Sequence, residues 1–366
     1  MNGKLILNQL SQYQPGKQIE DVKKEYNLSH IVKLASNENP FGYSSKVEEQ
    51  LMGMKHSFNV YPDGYTTNLR ASLAKKLHVM DNQLIFGSGS DEIVQMLCRA
   101  YLYPGVNTIM ATPTFPQYRH NALVEGAVVT EIPTVNGYHD LEAMLHAIDS
   151  ETKIIWLCSP NNPTGSIIPK DALYDFLNRC PKHVLVVLDE AYYEYIDQEL
   201  DPEAINLITK HPNLIVLRTF SKAYGLAGLR VGYGVSNENT ISNLNVVRGP
   251  FNTTSLTQQA AIIALEDQEF IQNSIKKNKE IKQDLQHYLD ELGWNYYDSQ
   301  TNFLLISTPI SGDDTFQYLL ERGFIVRSGE GLGCPNTIRL TIGSEDDMEQ
   351  IKTLLGKLHK ETSKEI

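Results

Sequence analysis

Positive charge is in short supply in this chain. Its 32 lysines and arginines face 44 aspartates and glutamates, for a formal net charge of −12. A nucleic-acid partner wants a basic face, so that class is excluded. A small anionic substrate is not, because it needs only local positive charge. Cysteine is also scarce. The four present, Cys98, Cys158, Cys180 and Cys334, are scattered. They show neither metal-ligand spacing nor the density of a disulfide framework. No metal site is expected, and the four read as reduced thiols of a cytoplasmic protein, mostly core filler. No apolar run approaches the roughly 18 residues of a membrane helix. The N-terminal apolar run is too short for a signal peptide, and no small-residue cleavage site follows it. Internal repeats and low-complexity tracts are missing. So are the G-x-G-x-x-G and Walker A patterns, which removes support for dinucleotide and nucleoside-triphosphate chemistry.

What is present is an alternating α/β pattern. A chain of 366 residues exceeds one typical core, so one large and one smaller domain are expected. Short apolar runs at 84–86, 107–111, 127–132, 153–158, 184–188 and 214–217 read as strands. Several are continuously apolar, as in strands buried on both faces. Helical patterns fall between them, such as 169–178, with proline in its first turn. The alternation predicts a mostly parallel sheet flanked by helices over 36–247. The texture then changes. One long helix is expected over 257–292, followed by strands at 302–307, 324–326 and 337–341 and helices at 313–321 and 345–359. These make a small α+β domain over 248–366. Residues 1–35 lack a core of their own and are expected to pack on that small domain or on a partner subunit.

The chemistry centres on Arg218-Thr-Phe-Ser-Lys-Ala-Tyr-Gly-Leu-Ala-Gly-Leu-Arg230. Lys222 follows a short apolar run. A lysine at the end of a buried strand loses its proton more readily by desolvation and can then bond to an aldehyde. Ser221 and Arg230 are donors of the kind a phosphate needs. Together the three suggest pyridoxal phosphate, although an arbitrary lysine taken alone reads more readily as a solvated one on a loop. Gly87-Ser-Gly-Ser-Asp-Glu92 follows a strand and opens a helix, where backbone N–H groups and the helix dipole favour an anion. Taken alone, it reads more readily as an ordinary capped helix. Ser159-Pro-Asn-Asn-Pro-Thr-Gly165 forms a rigid loop at a strand end, and its Asn162 amide can donate to a phenolate oxygen. Asp189 ends the most apolar run, where a carboxylate is costly without a cation. A protonated pyridine nitrogen would be such a cation. Otherwise Asp189 caps the next helix. Tyr192, three positions on, could donate to the ring oxygen. Asp189 and Lys222 lie about one strand–helix–strand unit apart, which puts them on adjacent strands at one sheet edge.

This ordered set resembles the fold-type-I pyridoxal-phosphate aminotransferases over nearly the whole chain. Within them it is most similar to the histidinol-phosphate aminotransferase family. The narrowing motifs are Leu34-Ala-Ser-Asn-Glu-Asn-Pro-Phe-Gly42, Tyr61-Pro-Asp-Gly64, Thr112-Pro-Thr-Phe115 and Val247-Arg-Gly-Pro-Phe-Asn252, with Val326-Arg327 and Ile338-Arg-Leu-Thr-Ile-Gly343. The resemblance implies that Lys222 holds the cofactor and shuttles a proton. It gives Asp189 the pyridinium, Asn162 and Tyr192 the ring oxygen, and Phe115 the ring face, where many relatives carry tyrosine. Ser90, Asp91, Ser221 and Arg230 would hold the cofactor phosphate, with Tyr61 reaching it from the neighbouring subunit of a homodimer. Arg339 would grip the substrate's anionic end, with Arg327, Tyr13 and Asn37 nearby. The implied reaction interconverts histidinol phosphate and 2-oxoglutarate with imidazole-acetol phosphate and glutamate, in histidine biosynthesis. Aromatic and aspartate aminotransferases and threonine-phosphate decarboxylase share much of the pattern. A pyridoxal-binding transcription regulator would need a DNA-binding module, for which the short stretch before Ser36, in a chain that is acidic as a whole, leaves no room.

Overall fold

The computed structural model describes residues 3–10, 19–53 and 57–363. In chain order its strands are β1 (Val32–Lys33), β2 (Leu84–Gly87), β3 (Asn107–Thr112), β4 (Val128–Pro133), β5 (Thr152–Cys158), β6 (Leu185–Asp189), β7 (Leu214–Thr219), β8 (Gly232–Ser236), β9 (Phe303–Ser307), β10 (Phe324–Ile325), β11 (Arg327–Ser328) and β12 (Thr337–Thr341). Its α-helices are α1 (Ile19–Tyr26), α2 (Ser45–Gly53), α3 (Thr67–Leu77), α4 (Ser90–Tyr101), α5 (Pro116–Glu125), α6 (Leu141–His146), α7 (Lys170–Arg179), α8 (Ala204–Leu207), α9 (Glu238–Val247), α10 (Ser255–Glu266), α11 (Gln268–Leu292), α12 (Gly312–Leu320) and α13 (Glu345–Thr362).

The apolar runs pair into one seven-stranded sheet, ordered β2-β8-β7-β6-β5-β3-β4. The five strands from β7 to β4 run parallel. β8 runs antiparallel to both β7 and β2, so the sheet is α/β and mostly parallel. Every residue of β6 and β7 is buried, as helices on both faces require. Two apolar clusters fill the two sides of this sheet. One gathers β-strand residues with α7, α8 and α10, and the other gathers them with α4, α5 and α9. β8 was not legible as a strand, because Gly232 and Gly234 break up its apolar run.

A second sheet, β11-β12-β9, is antiparallel and shares a core with α11, α12 and α13. The long helix expected over 257–292 is broken at Asp267, between α10 and α11. The Asp267 backbone leaves the helical region, at φ −90° and ψ 70°. Its buried carboxylate accepts from Ser44 Oγ at 2.5 Å and from Lys46 Nζ at 2.8 Å. The break has a consequence for the core. Ala260, Ala261, Ala264 and Leu265 of α10 belong to the large sheet's cluster. Ile281, Leu285 and Leu289 of α11 belong to the small one. The large core therefore continues past Val247, where the texture of the sequence changes. Near the N-terminus, β1 pairs in parallel with β10, and Val22 of α1 packs with Leu320 and Ile325.

Between β1 and α2, residues 34–44 cross from the small sheet to the large one. Leu34 N–H donates to Ile325 O at 2.7 Å, and Leu34 O accepts from Thr341 N–H at 3.0 Å. Ten residues on, Ser44 docks on Asp267. Midway the backbone of Gly42 presses on Gly225, whose φ is +70°. A Cβ on Gly225 would lie 1.9 Å from Gly42 O, so only glycine fits this contact three residues after Lys222.

Candidate active site

The carboxyl ends of the parallel strands open into a cavity of about 460 Å³, closed on its far side by β11 and β12 of the small sheet. Strand ends in an open α/β sheet are where side chains from separate elements can converge on one ligand. Asn37, Ser90, Asp91, Phe115, Asn162, Asp189, Tyr192, Ser221, Lys222, Arg230, Arg327 and Arg339 all line it. One expected residue, Tyr61, does not. Tyr61 is 79% exposed and stacks on Phe251 at 4.6 Å, away from this cavity. Tyr13 lies outside the described residues.

Asp189 is the last residue of β6 and Lys222 lies just beyond β7, its parallel neighbour. Lys222 Nζ donates to Ser36 O at 3.0 Å. Burial, and secondarily the positive charge of Arg339, lower its pKa to about 8. Its amine is therefore far closer to the neutral, nucleophilic form at physiological pH than an exposed lysine. Asp189 moves the other way. Burial raises its pKa to about 6, against the pull of a hydrogen bond from Tyr118 Oη to Oδ2 at 2.7 Å. Its Oδ1 accepts from Ala191 N–H at 3.1 Å. Among the described residues no lysine or arginine lies within ion-pair distance of Asp189. A buried carboxylate in that position favours a cationic guest.

Asn162 Oδ1 accepts from Arg339 Nη1 at 2.6 Å. That leaves the Asn162 Nδ2 as the donor for an oxygen in the cavity. Tyr192 Oη accepts from Asn37 Nδ2 at 2.8 Å, so its own hydrogen is left to donate. Burial also pushes the Tyr192 phenol up, which keeps that hydrogen in place.

On the opposite wall α4 begins at Ser90, and its first N–H groups have no helical acceptor. Arg230 packs beside them. Its Nη1 donates to Ser221 Oγ at 3.4 Å, and its Nη2 donates to Ser88 O at 3.3 Å. A Cβ on Gly89 would come within 2.5 Å of that Nη2, so the glycine opens the cradle for the guanidinium. Backbone N–H groups, a hydroxyl and an arginine at a helix start form an anion site.

Arg327 and Arg339 are direct partners across the β11–β12 ladder. Like charges set opposite each other on a sheet are destabilising, and an anion between them relieves this. Arg339 is only 7% exposed and is aimed by the carbonyl of Ala35, 2.7 Å from Nη2.

The donor set thus matches pyridoxal phosphate part by part. An anion cradle, an amine of lowered basicity, donors for a ring oxygen and a cation-seeking carboxylate surround one cavity, with Phe115 beside them. Tyr118 and the Ser36 carbonyl had escaped sequence reasoning. No spacing rule links Tyr118 to Asp189, and a backbone carbonyl leaves no trace in residue type.

Known proteins resemble this chain in sequence and in fold. A sequence model of the family described as aminotransferase class I and II matches residues 29–358. The histidinol-phosphate aminotransferase 2 of Oceanobacillus iheyensis is 57% identical over 362 residues, covering 99% of this chain and 100% of the relative. The histidinol-phosphate aminotransferase of Bacillus subtilis strain 168 is 52% identical over 353 residues, covering 96% and 98%. Among solved structures, the histidinol-phosphate aminotransferase of Sinorhizobium meliloti in complex with pyridoxal-5'-phosphate aligns with a TM-score of 0.88 at 25% identity, covering 98% of each chain.

Proposed function

Since the chain belongs to the class I and II aminotransferases, and among them to the histidinol-phosphate aminotransferases, we infer that it is a pyridoxal-phosphate-dependent transaminase of histidine biosynthesis. It interconverts histidinol phosphate and 2-oxoglutarate with imidazole-acetol phosphate and glutamate. When bound, the cofactor supplies an aldehyde that carries the amino group and a ring that draws electrons from the substrate carbon.

The chain's own residues do the rest. Lys222 is the amine that holds the aldehyde and, once released, moves the proton at the substrate carbon. Its pKa of about 8 suits a base working near neutral pH. Asp189 meets the ring nitrogen. Asn162 and Tyr192 donate to the ring oxygen, and Phe115 covers a ring face. The N–H groups of Ser90 and Asp91, with Ser221 and Arg230, hold the phosphate. Arg339 and Arg327 take the substrate's anionic end, with Asn37 at the same wall. A guanidinium fork accepts a carboxylate in one half-reaction and a phosphate in the other. We place the reaction in the cytoplasm, on the strength of four free, buried thiols.

The observation that carries the substrate assignment is the pairing of Arg327 with Arg339 across two strands. Two facing cations suit a dianionic phosphate better than the single charge of an amino-acid carboxylate. With 2-oxoglutarate as acceptor, kcat/KM for histidinol phosphate should exceed those for phenylalanine, tyrosine and aspartate by about 100-fold or more. Equal or faster turnover of any of the three would reassign the substrate. Carbon dioxide release from threonine phosphate would favour a decarboxylase.

The assembly we propose is a homodimer in which Tyr61 of each chain reaches the other chain's cofactor phosphate. Phe58, Val60, Tyr61 and Phe251 are all exposed in the single chain and adjoin one another, as an interface requires. Sedimentation equilibrium should give twice the chain mass, and a monomer that remains fully active would remove Tyr61 from the site.

A further inference from the structure

Asp189 ends a strand buried along its whole length and is 4% exposed. The groups around it come from every neighbouring element. Asp91 faces it from α4, Tyr118 from α5 and Cys158 from β5, with Glu190 and Tyr192 on its own segment. Lys222 lies in the same cavity. The anions Asp91 and Glu190 oppose its charge. The Cys158 thiol, pushed up to about 12 by burial, stays neutral. Among the described residues the Tyr118 hydroxyl is the side-chain donor to the carboxylate, at 2.7 Å.

Tyr118 is itself held on several sides. It is fully buried. Its ring stacks on Trp156, with centroids 4.7 Å apart and planes 12° from parallel. Trp156 Nε1 donates to Thr108 Oγ1 at 2.8 Å, and that hydroxyl donates to Ile154 O at 2.8 Å, which ties the β5 indole to β3. The Phe115 and Tyr118 rings meet in a T-shaped arrangement, with centroids 5.4 Å apart and planes at 75°. Burial raises the Tyr118 phenol well above its ordinary range, so the hydroxyl remains a donor.

We propose that Tyr118 is a positioning residue for the cofactor: it aims the Asp189 carboxylate and holds it as the anion that meets the ring nitrogen, while its T-shaped contact with Phe115 fixes that ring against the cofactor's face. One side chain that touches neither the phosphate cradle nor the arginine pair would then set both the electronics and the seating of the ring. The proposal rests on the pyridoxal-phosphate reading of the site. A hydrogen bond to the charged form favours that form, and burial alone drives Asp189 the other way. Removing the donor should raise the pH at which Asp189 ionises.

The test compares the full-length chain with Tyr118→Phe, which keeps the ring stack and removes only the hydroxyl. Both are stripped of cofactor and titrated with pyridoxamine 5'-phosphate from pH 5 to pH 9. That probe has the ring nitrogen and the phosphate but no aldehyde, so Lys222 does not bond to it. Its own titrations affect both proteins alike and cancel in the ratio of Kd values. One charge-assisted hydrogen bond to a buried anion corresponds to about tenfold or more in that equilibrium. The ratio of variant to wild-type Kd should therefore grow about tenfold or more as the pH falls from 9 to 6. A ratio near one throughout, or a constant ratio independent of pH, overturns the proposal and leaves Tyr118 as packing. Failure of the wild-type chain to bind the probe at any pH would instead sink the cofactor reading.

Discussion

Lys222→Ala should lower kcat by about 10⁴-fold or more and abolish the visible absorbance that the cofactor gains on bonding to the chain. The size follows from what the amine does twice over. In the reading proposed above, it holds the aldehyde before substrate arrives and carries the proton afterwards. The loop around it is otherwise insensitive to the change, because Gly225 and Gly42 meet through backbone and Asn39 Nδ2 holds Ala223 O at 2.9 Å. The variant should fold. A small primary amine added to it should restore part of the rate, since the cavity opens where the side chain was. Turnover within tenfold of the wild type would remove Lys222 from the mechanism. The wild-type chain offers a pH check on the same residue. Only the neutral amine attacks an aldehyde, and burial sets its pKa at about 8. Cofactor capture by the stripped chain should speed up as pH rises towards 8 and then level off. A rate still climbing steeply at pH 10 would mean an ordinary solvated lysine.

Asp189→Asn should lower kcat by about 10²- to 10³-fold, the scale on which breaking one buried charge pair acts. An amide cannot balance a protonated ring nitrogen, although it still accepts from Tyr118 and so keeps the local packing. Stability should change in the opposite direction. The carboxylate's pKa is about 6 in the folded chain, against 3.8 for the free group. The folded state thus binds the proton more tightly, and Asp189 destabilises the cofactor-free fold as pH rises from about 4 through 6. Above 6 that cost is fully present. The asparagine variant should therefore be the more stable protein at pH 7, by up to about 3 kcal/mol, and should lose that advantage near pH 4. Denaturant melts at the two pH values measure this. A variant less stable than wild type at pH 7, with near-normal kcat, would make Asp189 a structural residue.

Much of this site was written in residue type and order. Lys222, Asp189, Asn162 and the Gly87–Glu92 loop each follow an apolar run, and a parallel sheet brings strand ends together. Contacts that depend on the path between elements were not legible. The carbonyl of Ser36 reaches Lys222 from another part of the chain, and any residue type would offer it. Tyr118 lies on α5, whose apolar positions form no clear stripe, because the helix meets the sheet at one place and the cavity at another. The stop at Asp267 looked like the middle of one helix, since its cause is Ser44 and Lys46 far upstream. Tyr61 is legible as a motif residue, yet its expected target belongs to a second chain.

Residues 34–39 lie between two halves of the molecule made at very different times. Ser36 O meets Lys222 across 186 positions, and Asn37 and Ala35 each meet their partners on β12 across 304. Contacts of such long range are closed late, because the loop entropy is spent before they form. On a growing chain the large sheet and its lysine are complete while β9 to β12 are still unmade. Until those strands arrive, the crossing segment has neither Thr341 nor Arg339 to lie against, and the arginine wall does not exist. The strand ends that carry Asp189 and Lys222 are thus made before Arg327 and Arg339, the wall that closes the cavity on its far side.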